Sequence, residues 1–270
     1  MKSGRPGPTD LKKNVRRSPR HRASCCRPLA GPLVLCLLSG DEERVRTLLD
    51  EARGPGVDTA LLARDVIAPA LEEIGEMWRR RQISPAEEHL ATSVLSRALG
   101  HVGTRVPLPP LGAPRILFAC LAGEFHELGI RIAADVAHEA GWLAKSLGAN
   151  VPRGDLALLV EERRPDAVGL SVALAAHLPE CLRTIDEIRR RAPGVKILVG
   201  GRAVRTEPAL RTVKGPDACA ADAVELRDWL TANRPHTTSC SPVLPQVARD
   251  GRCHLPESLR RRIRRGSRAR

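Results

Sequence analysis

The sequence lacks the signatures of the commonest ligand-binding classes. No G-x-G-x-x-G, no Walker loop and no zinc spacing occurs, which argues against a nicotinamide or nucleotide enzyme and against a zinc protein. The eight cysteines, Cys25, Cys26, Cys36, Cys120, Cys181, Cys219, Cys240 and Cys253, form no C-x-x-C pair and no disulfide framework. They read as mostly reduced thiols, and the expected location is the cytoplasm. No apolar run approaches the roughly 20 residues that cross a bilayer. Pro32 to Leu38 follows a basic stretch, as the core of a signal peptide would. However, no small-residue cleavage site follows, and the apolar pattern continues through Val45, Leu48 and Leu49 as an amphipathic helix.

Positive charge is plentiful, but it is confined to the ends. Of the formal net charge of +13, residues 1–31 hold nine Lys/Arg against Asp10, and residues 234–270 hold ten Arg against Asp250 and Glu257. The segment 32–233 carries 25 basic and 28 acidic residues and is mildly acidic. Runs such as Arg260, Arg261, Arg262, Arg264 and Arg265 suit the phosphates of nucleic acid or an anionic membrane surface. The same composition also suits solvated, disordered arms. The acidic middle argues against a nucleic-acid-binding protein with the folded part as its scaffold. A length of 270 residues with 42% hydrophobic content is enough for two compact domains.

From about Leu33 to Val102 the apolar residues recur at helical spacing, and breakers divide the stretch into four helices. The first is expected near 33–52, closed by Arg53-Gly54-Pro55-Gly56. The second starts after Asp58 with Leu61, Leu62, Val66 and Ile67, and Pro69 starts the third with Leu71, Ile74, Met77 and Trp78. The fourth has a capping box, with Ser84 as cap, Pro85 at the first helical position and Glu87 completing the box. Short helices with short joints make a bundle. The proline-dense stretch from Val106 to Pro114 then favours an extended spacer.

Beyond it the period changes. Apolar runs at 116–121, 142–147, 167–173, 195–199 and 218–221 alternate with helical patterns at about 129–140, 153–164, 178–191, 204–212 and 223–232. Short, nearly continuous apolar strands alternating with helices predict a five-stranded parallel, doubly wound, flavodoxin- or Rossmann-like sheet. Ligands of such sheets bind outside the carboxyl ends of the strands, at the topological switch point. The loops of interest therefore begin at Ala122, Gly148, Ser171 and Gly200.

The first of these loops reads Gly123-Glu124-Phe125-His126-Glu127-Leu128-Gly129. A histidine there can offer one ring nitrogen to a metal while Glu124 accepts the proton on the other. Gly129 lets the backbone approach a large ligand. The third strand ends in Ser171-Val172-Ala173-Leu174 and the fourth in Gly200-Gly201, where absent side chains are expected to leave a hole for a planar, nucleotide-like group. His101, His138 and His177 have no partners at ligand spacing and are expected in ordinary surface or boundary roles. Cys120 reads as a buried small hydrophobe.

With its three loops in this pattern, the sequence resembles the cobalamin-binding module of methionine synthase, corrinoid methyl carriers and cobalamin-dependent light-sensing transcriptional repressors. That pattern is Asp-x-His-x-x-Gly, then Ser-x-Leu, then Gly-Gly, and it covers roughly residues 32–232. The resemblance implies that His126 binds cobalt from below and that the displaced dimethylbenzimidazole base lies near Ser171, Val172, Leu174, Gly200 and Gly201. It also implies that Gly148-Ala149-Asn150-Val151-Pro152 is the loop after the second strand. Here Glu124 stands in place of Asp, and Ala173 in place of Leu, with Leu174 one position later.

In the helical half, Trp78 followed nine residues later by Glu88-His89 resembles the upper cap of the light-sensing repressors. The resemblance implies an indole roof over the cofactor and polar contacts from Glu88 and His89. Where some light sensors carry a His after this Trp, Arg79 stands here.

The domains expected are a basic arm at 1–31, a helical cap at 32–104, a Pro-rich linker at 105–114, a cobalamin-binding α/β domain at 115–233 and an Arg-rich tail at 234–270. No catalytic residue is expected. The first functional expectation is a light- or ligand-responsive regulatory sensor that takes adenosylcobalamin, without a winged-helix DNA-binding domain of its own. Its output would pass through a homo-oligomer, a regulatory partner protein or nucleic acid bound by the basic termini. The alternative is a corrinoid carrier for methyl transfer, which takes methylcobalamin and serves a methyltransferase system.

Overall fold

The computed structural model of the chain describes residues 29–103, 106, 109–110, 112–207, 211 and 215–234. The arms expected at 1–31 and 234–270 lie outside the described residues, apart from 29–31 and Arg234. So do positions 105, 107, 108 and 111 of the spacer and the side chain of His101.

The helical half is divided differently from the expectation. The stretch expected as one helix is two, α1 (Ala30–Ser39) and α2 (Glu42–Ala52), separated at Gly40 with φ of 78°. Glycine adopts this left-handed conformation without a Cβ penalty, and its N–H closes the helix onto the Cys36 and Leu37 carbonyls. Asp41 then caps α2, its side chain accepting from Arg44 N at 2.9 Å. The apolar periodicity runs straight through the break, because Leu33, Leu37, Val45 and Leu49 all reach one core.

Conversely, Pro69 does not begin a separate helix. The segments α3 (Thr59–Leu62), a π turn (Ala63–Ile67) and α4 (Ala68–Arg79) follow one another in continuous helical backbone. The Ala68 N–H bonds back to the Ala63 carbonyl. This wider turn moves the preceding carbonyls away from the Pro69 ring and makes room for a residue with no N–H to donate. The start of α5 (Pro85–Gly103) is as expected. Ser84 Oγ accepts from Glu87 N at 3.3 Å, and Glu87 Oε2 accepts from Ser84 N at 2.7 Å.

After the spacer, the chain alternates strands and helices. The strands are β1 (Arg115–Cys120), β2 (Leu143–Ser146), β3 (Ala167–Ser171), β4 (Lys196–Gly200) and β5 (Ala218–Ala220). Between and after them lie α6 (Leu128–Glu139), α7 (Arg153–Arg163), α8 (Leu178–Arg191), α9 (Arg202–Thr206) and α10 (Ala223–Ala232). All strand pairs are parallel, in the order β2-β1-β3-β4-β5. The expected fold class, a helical cap followed by a five-stranded parallel doubly wound domain, is the architecture observed. The order reverses between β1 and β3, so the loops after these two strands diverge and leave a crevice at the carboxyl edge. Every residue of β3 is buried, which is why it reads as an unbroken apolar run. Gly169 is required there, since a Cβ would lie 2.3 Å from the Phe118 ring on β1.

One apolar core runs from the helical half into the sheet domain, while a second lies under α7 and α8. The first is anchored by Trp142, buried just before β2, whose Nε1 donates to the Leu230 carbonyl at 2.9 Å and whose ring lies 6.3 Å from Trp229. Charged groups join the halves along the same side. Glu139 of α6 accepts from Thr59 N at 2.9 Å and from Thr59 Oγ1 and Arg53 at 2.6 Å each. Arg227 of α10 donates to Asp58 at 2.7 Å. No described helix is long and apolar enough to cross a membrane.

Candidate functional site

The β1 loop is fastened at several points. Asn150 N donates to the Glu124 carbonyl at 2.9 Å, while Asn150 Oδ1 accepts from Gly123 N at 2.8 Å. These bonds tie the β1 loop to the β2 loop. Gly123 and Gly148 turn their loops with φ of 83° each, which a side chain would oppose.

At the centre is Glu124, fully buried although it is a carboxylate. One oxygen, Oε1, accepts from His126 N at 3.1 Å and from His126 Nδ1. The other, Oε2, accepts from Ala173 N at 2.9 Å and from His177 Nδ1 at 2.9 Å. Burial alone would favour the protonated acid, but the bonds from two imidazoles and two backbone N–H groups outweigh it and bring the pKa to about 2. The glutamate therefore stays ionised and acts only as an acceptor.

That fixes the chemistry of His126. Its Nδ1 edge is held by Glu124, so Nε2 is the nitrogen left to present, on a side chain that is 64% exposed. The Glu124 bond, opposed by burial, holds the imidazole above its ordinary range. Glu88 of α5 adds to that shift, and Arg202 at the start of α9 opposes it. The helical half and the β4 loop thus both act on this ring. Beside it, burial pushes the Cys120 thiol up to about 12, leaving it an inert apolar side chain as expected.

The other expected site residues are placed unevenly. Ser171 stands opposite Cys120 across β1 and β3, and Gly200 opposite Ser171 across β3 and β4. Val172 is buried, whereas Leu174 and Phe125 are exposed at the same edge. A Cβ at Gly129 would meet nothing within 4 Å, and one at Gly148 would lie 3.3 Å from Glu127 Oε2. In the helical half, Trp78 is 49% exposed, and His89 Nδ1 pairs with Glu88 Oε2 at 2.6 Å. Arg79 is engaged by Glu76.

Two expectations need correction. Gly201 does not leave a hole, because a Cβ there would lie 2.6 Å from the Val172 carbonyl oxygen; the glycine lets the β4 loop pass against the backbone after β3. Nearby open space is a small apolar cavity of about 10 Å³ whose lining includes Val172, Cys181, Leu182, Val199 and Val204. It admits a planar base only if these elements part. The second correction concerns His177, expected in an ordinary role, which is bonded to the buried glutamate. Its place in the loop after β3, at the same sheet edge, was the available signal. His138 does have a boundary role, its Nε2 lying 3.1 Å from the Ala144 carbonyl oxygen.

Among the described residues, no cluster of three His, Cys, Asp or Glu side chains could hold a metal ion. The donor set is one solvent-facing imidazole nitrogen backed by a buried anion. It suits a metal that arrives with most of its own ligands, as cobalt does in a corrin ring.

A doubly wound parallel sheet with one presented imidazole at its switch point, packed beside a helical bundle, defines a cofactor-binding module. The comparisons assign its kind: the chain belongs to the cobalamin-binding module family. A B12 binding domain model matches residues 114–226, and a second B12 binding domain model matches residues 29–102. The chain is 32% identical over 172 residues to the HTH-type transcriptional repressor CarH of Myxococcus xanthus, covering 63% of this chain and 56% of that protein. It is 20% identical to Dimethylamine corrinoid protein 1 of Methanosarcina acetivorans, covering 64% of this chain and 81% of the relative. The chain thus spans just over half the length of the repressor it matches. Its fold is also that of the Methanosarcina barkeri monomethylamine corrinoid protein, with a TM-score of 0.62 at 15% identity, covering 76% of this chain and 98% of the other.

Proposed function

We propose that this cobalamin-binding chain is a regulatory sensor that takes adenosylcobalamin between its helical half and its sheet, with His126 Nε2 as the lower ligand to cobalt. The observation that carries the reading is the pairing of Glu124 with His126, with Glu88 of the helical half acting on the same ring. When bound, the cofactor supplies a cobalt–carbon bond that light can break.

The chain's own residues hold and report. Glu124 keeps Nδ1 occupied, so that Nε2 is the coordinating nitrogen. Gly129 and Gly148 keep the rim of the edge open, and Ser171, Val172, Leu174 and Gly200 border the path assigned to the nucleotide tail, which opens only if the β3 and β4 loops part where Gly201 now packs against Val172. Exposed Trp78 supplies an apolar roof, and the Glu88–His89 pair meets polar atoms of the adenosyl group. Trp78 and the Glu88–His89 pair would pack differently with and without an adenosyl group above the ring, and that difference would shift association. The partner in that association is a second copy, a regulatory protein or nucleic acid held by the basic termini, and the setting is the cytoplasm. The module's parts are a helical domain at 32–104, a spacer at 105–114 and a cobalamin domain at 115–233, flanked by the arms 1–31 and 234–270.

The 20% likeness to a protein named as a corrinoid protein, together with Arg79 being tied to Glu76, favours the carrier as the second reading. The Arg79 guanidinium carries only N–H donors, so the residue beside Trp78 offers no lone pair to an emptied upper face. Reconstitution in darkness with adenosylcobalamin and with methylcobalamin separates the two readings. The sensor retains adenosylcobalamin and changes its spectrum and elution volume on illumination. Preference for methylcobalamin with no response to light identifies the carrier.

A further inference from the structure

We infer that Arg205 and Glu72 form a latch on the tail slot: their ion pair holds α9 where the base must enter, and it selects between corrinoids with and without a nucleotide tail. The inference rests on the proposed seating of the tail between the β3 and β4 loops.

The slot is shut. Its remaining space, about 10 Å³ beside Val172, Val199 and Val204, holds no more than roughly one water. A planar base therefore needs one wall to withdraw. β3 and β4 are paired along their whole length, and Cys181 and Ile185 of the α8 wall belong to the second core. By contrast, α9 has five residues, of which only Ala203 and Val204 are buried, and it follows Gly201, whose φ of 108° favours glycine.

Three contacts fasten this short helix. Gly201 passes against Val172, Ala203 N donates to the Val172 carbonyl at 3.1 Å, and Arg205 donates to Glu72 of α4 at 2.6 Å. The first two lie at the slot itself and give way to any occupant. The third lies outside it and ties the movable wall to the helical half. The same helix begins with Arg202, whose charge acts on the His126 ring. One short element thus reaches the ring proposed to hold cobalt, the slot, and the helix that carries Trp78. Withdrawal of α9 to admit the base breaks the Arg205–Glu72 pair, so the pair opposes withdrawal. A corrinoid without a tail leaves α9 in place and is indifferent to the pair. The two side chains are 39% and 43% exposed, so water screens the pair and its hold is modest.

The test follows corrin absorbance by stopped flow as full-length protein binds hydroxocobalamin or aquacobinamide, which keeps the corrin ring but lacks the tail. Glu72→Gln and Arg205→Gln should each raise the association rate with hydroxocobalamin about two- to fivefold, the scale of a part-exposed ion pair, and leave the rate with the cobinamide unchanged. The double variant Glu72→Arg/Arg205→Glu should return the rate to that of the parent. If Arg205 only attracted the phosphate of the tail, its loss would slow cobalamin while the loss of Glu72 quickened it, and such opposite signs overturn the latch. Unchanged rates in both single variants, or equal gains for the two corrinoids, also overturn it. Failure of the seating itself reads differently. In parent protein labelled with 15N and loaded with cobalt(II) cobalamin, electron paramagnetic resonance should show the two-line splitting of a protein nitrogen. Three lines from the unlabelled tail base mean that the base never left cobalt, which overturns the seating and the latch with it.

Discussion

The two sides of the contact between the helical half and the sheet are built differently. On one side α3, α6 and α10 meet through a continuous apolar core, with Thr59, Arg53 and Glu139 bonded across it and Arg227 on Asp58. On the other side, the carboxyl edge of the sheet leaves Phe125, Leu174 and the His126 ring exposed, and the helical half leaves Trp78 and Leu90 exposed. Apolar groups exposed singly are ordinary, but Phe125 and Leu174 are exposed together at the sheet edge that presents the imidazole, which marks that edge as a surface suited to being covered. The lesson is a division of labour, in which the closed side carries the stability and the open side can be spent on a ligand.

The strongest way to break that contrast is at Trp142. Trp142→Ala removes the largest fully buried side chain and orphans the Leu230 carbonyl, and should cost about 3–5 kcal/mol, read as a fall in denaturation midpoint. Next is Glu139→Ala, which strips Thr59 and Arg53 of their acceptor across the contact. It should cost about 1–3 kcal/mol and make the joint between the halves more open to limited proteolysis. A smaller effect is expected from acid.

Burial opposes ionisation of Asp217, but its bonds from Ile197 N and Arg189 prevail and hold the carboxyl below its ordinary value. Its stabilisation is therefore complete above the usual carboxylate range and is lost as pH falls through the lowered value. Asp217→Asn should lose about 1 kcal/mol at neutral pH and show a shallower acid limb in a stability-versus-pH curve. The smallest effect on stability belongs to Trp78→Ala, within about 0.5 kcal/mol, because the indole is half exposed. Its consequence should fall on binding, as reduced discrimination between adenosylcobalamin and methylcobalamin. A large loss of stability there would erase the contrast between the two sides.

The sheet was legible because strands buried on both faces write themselves as short apolar runs, β3 most plainly. The helical boundaries were less so. A periodic apolar face passes through Gly40 without a change of phase, and Pro69 reads as a start although a π turn accommodates it within a continuous run. At the site, Glu124 and His126 were visible because the partners lie two residues apart. His177 was not, since only the pairing of β1 with β3 brings residues 53 positions apart onto one carboxylate. The Gly200-Gly201 pair stands out in the sequence, but the smallness of Gly201 serves the approach of one backbone to another at Val172, and a Cβ at Gly200 would lie 3.4 Å from the Ala220 carbonyl oxygen.

The π turn has a further effect. Each residue of a regular helix advances about 100° around the axis, so one extra residue in a single turn rotates everything beyond it by that amount. Glu72, which reaches Arg205 across the junction at 2.6 Å, and Trp78 both lie downstream of Ile67. Their compass bearing is therefore set by a local irregularity more than ten residues before the indole, and a regular turn at 63–67 would aim the same indole about a quarter-circle away.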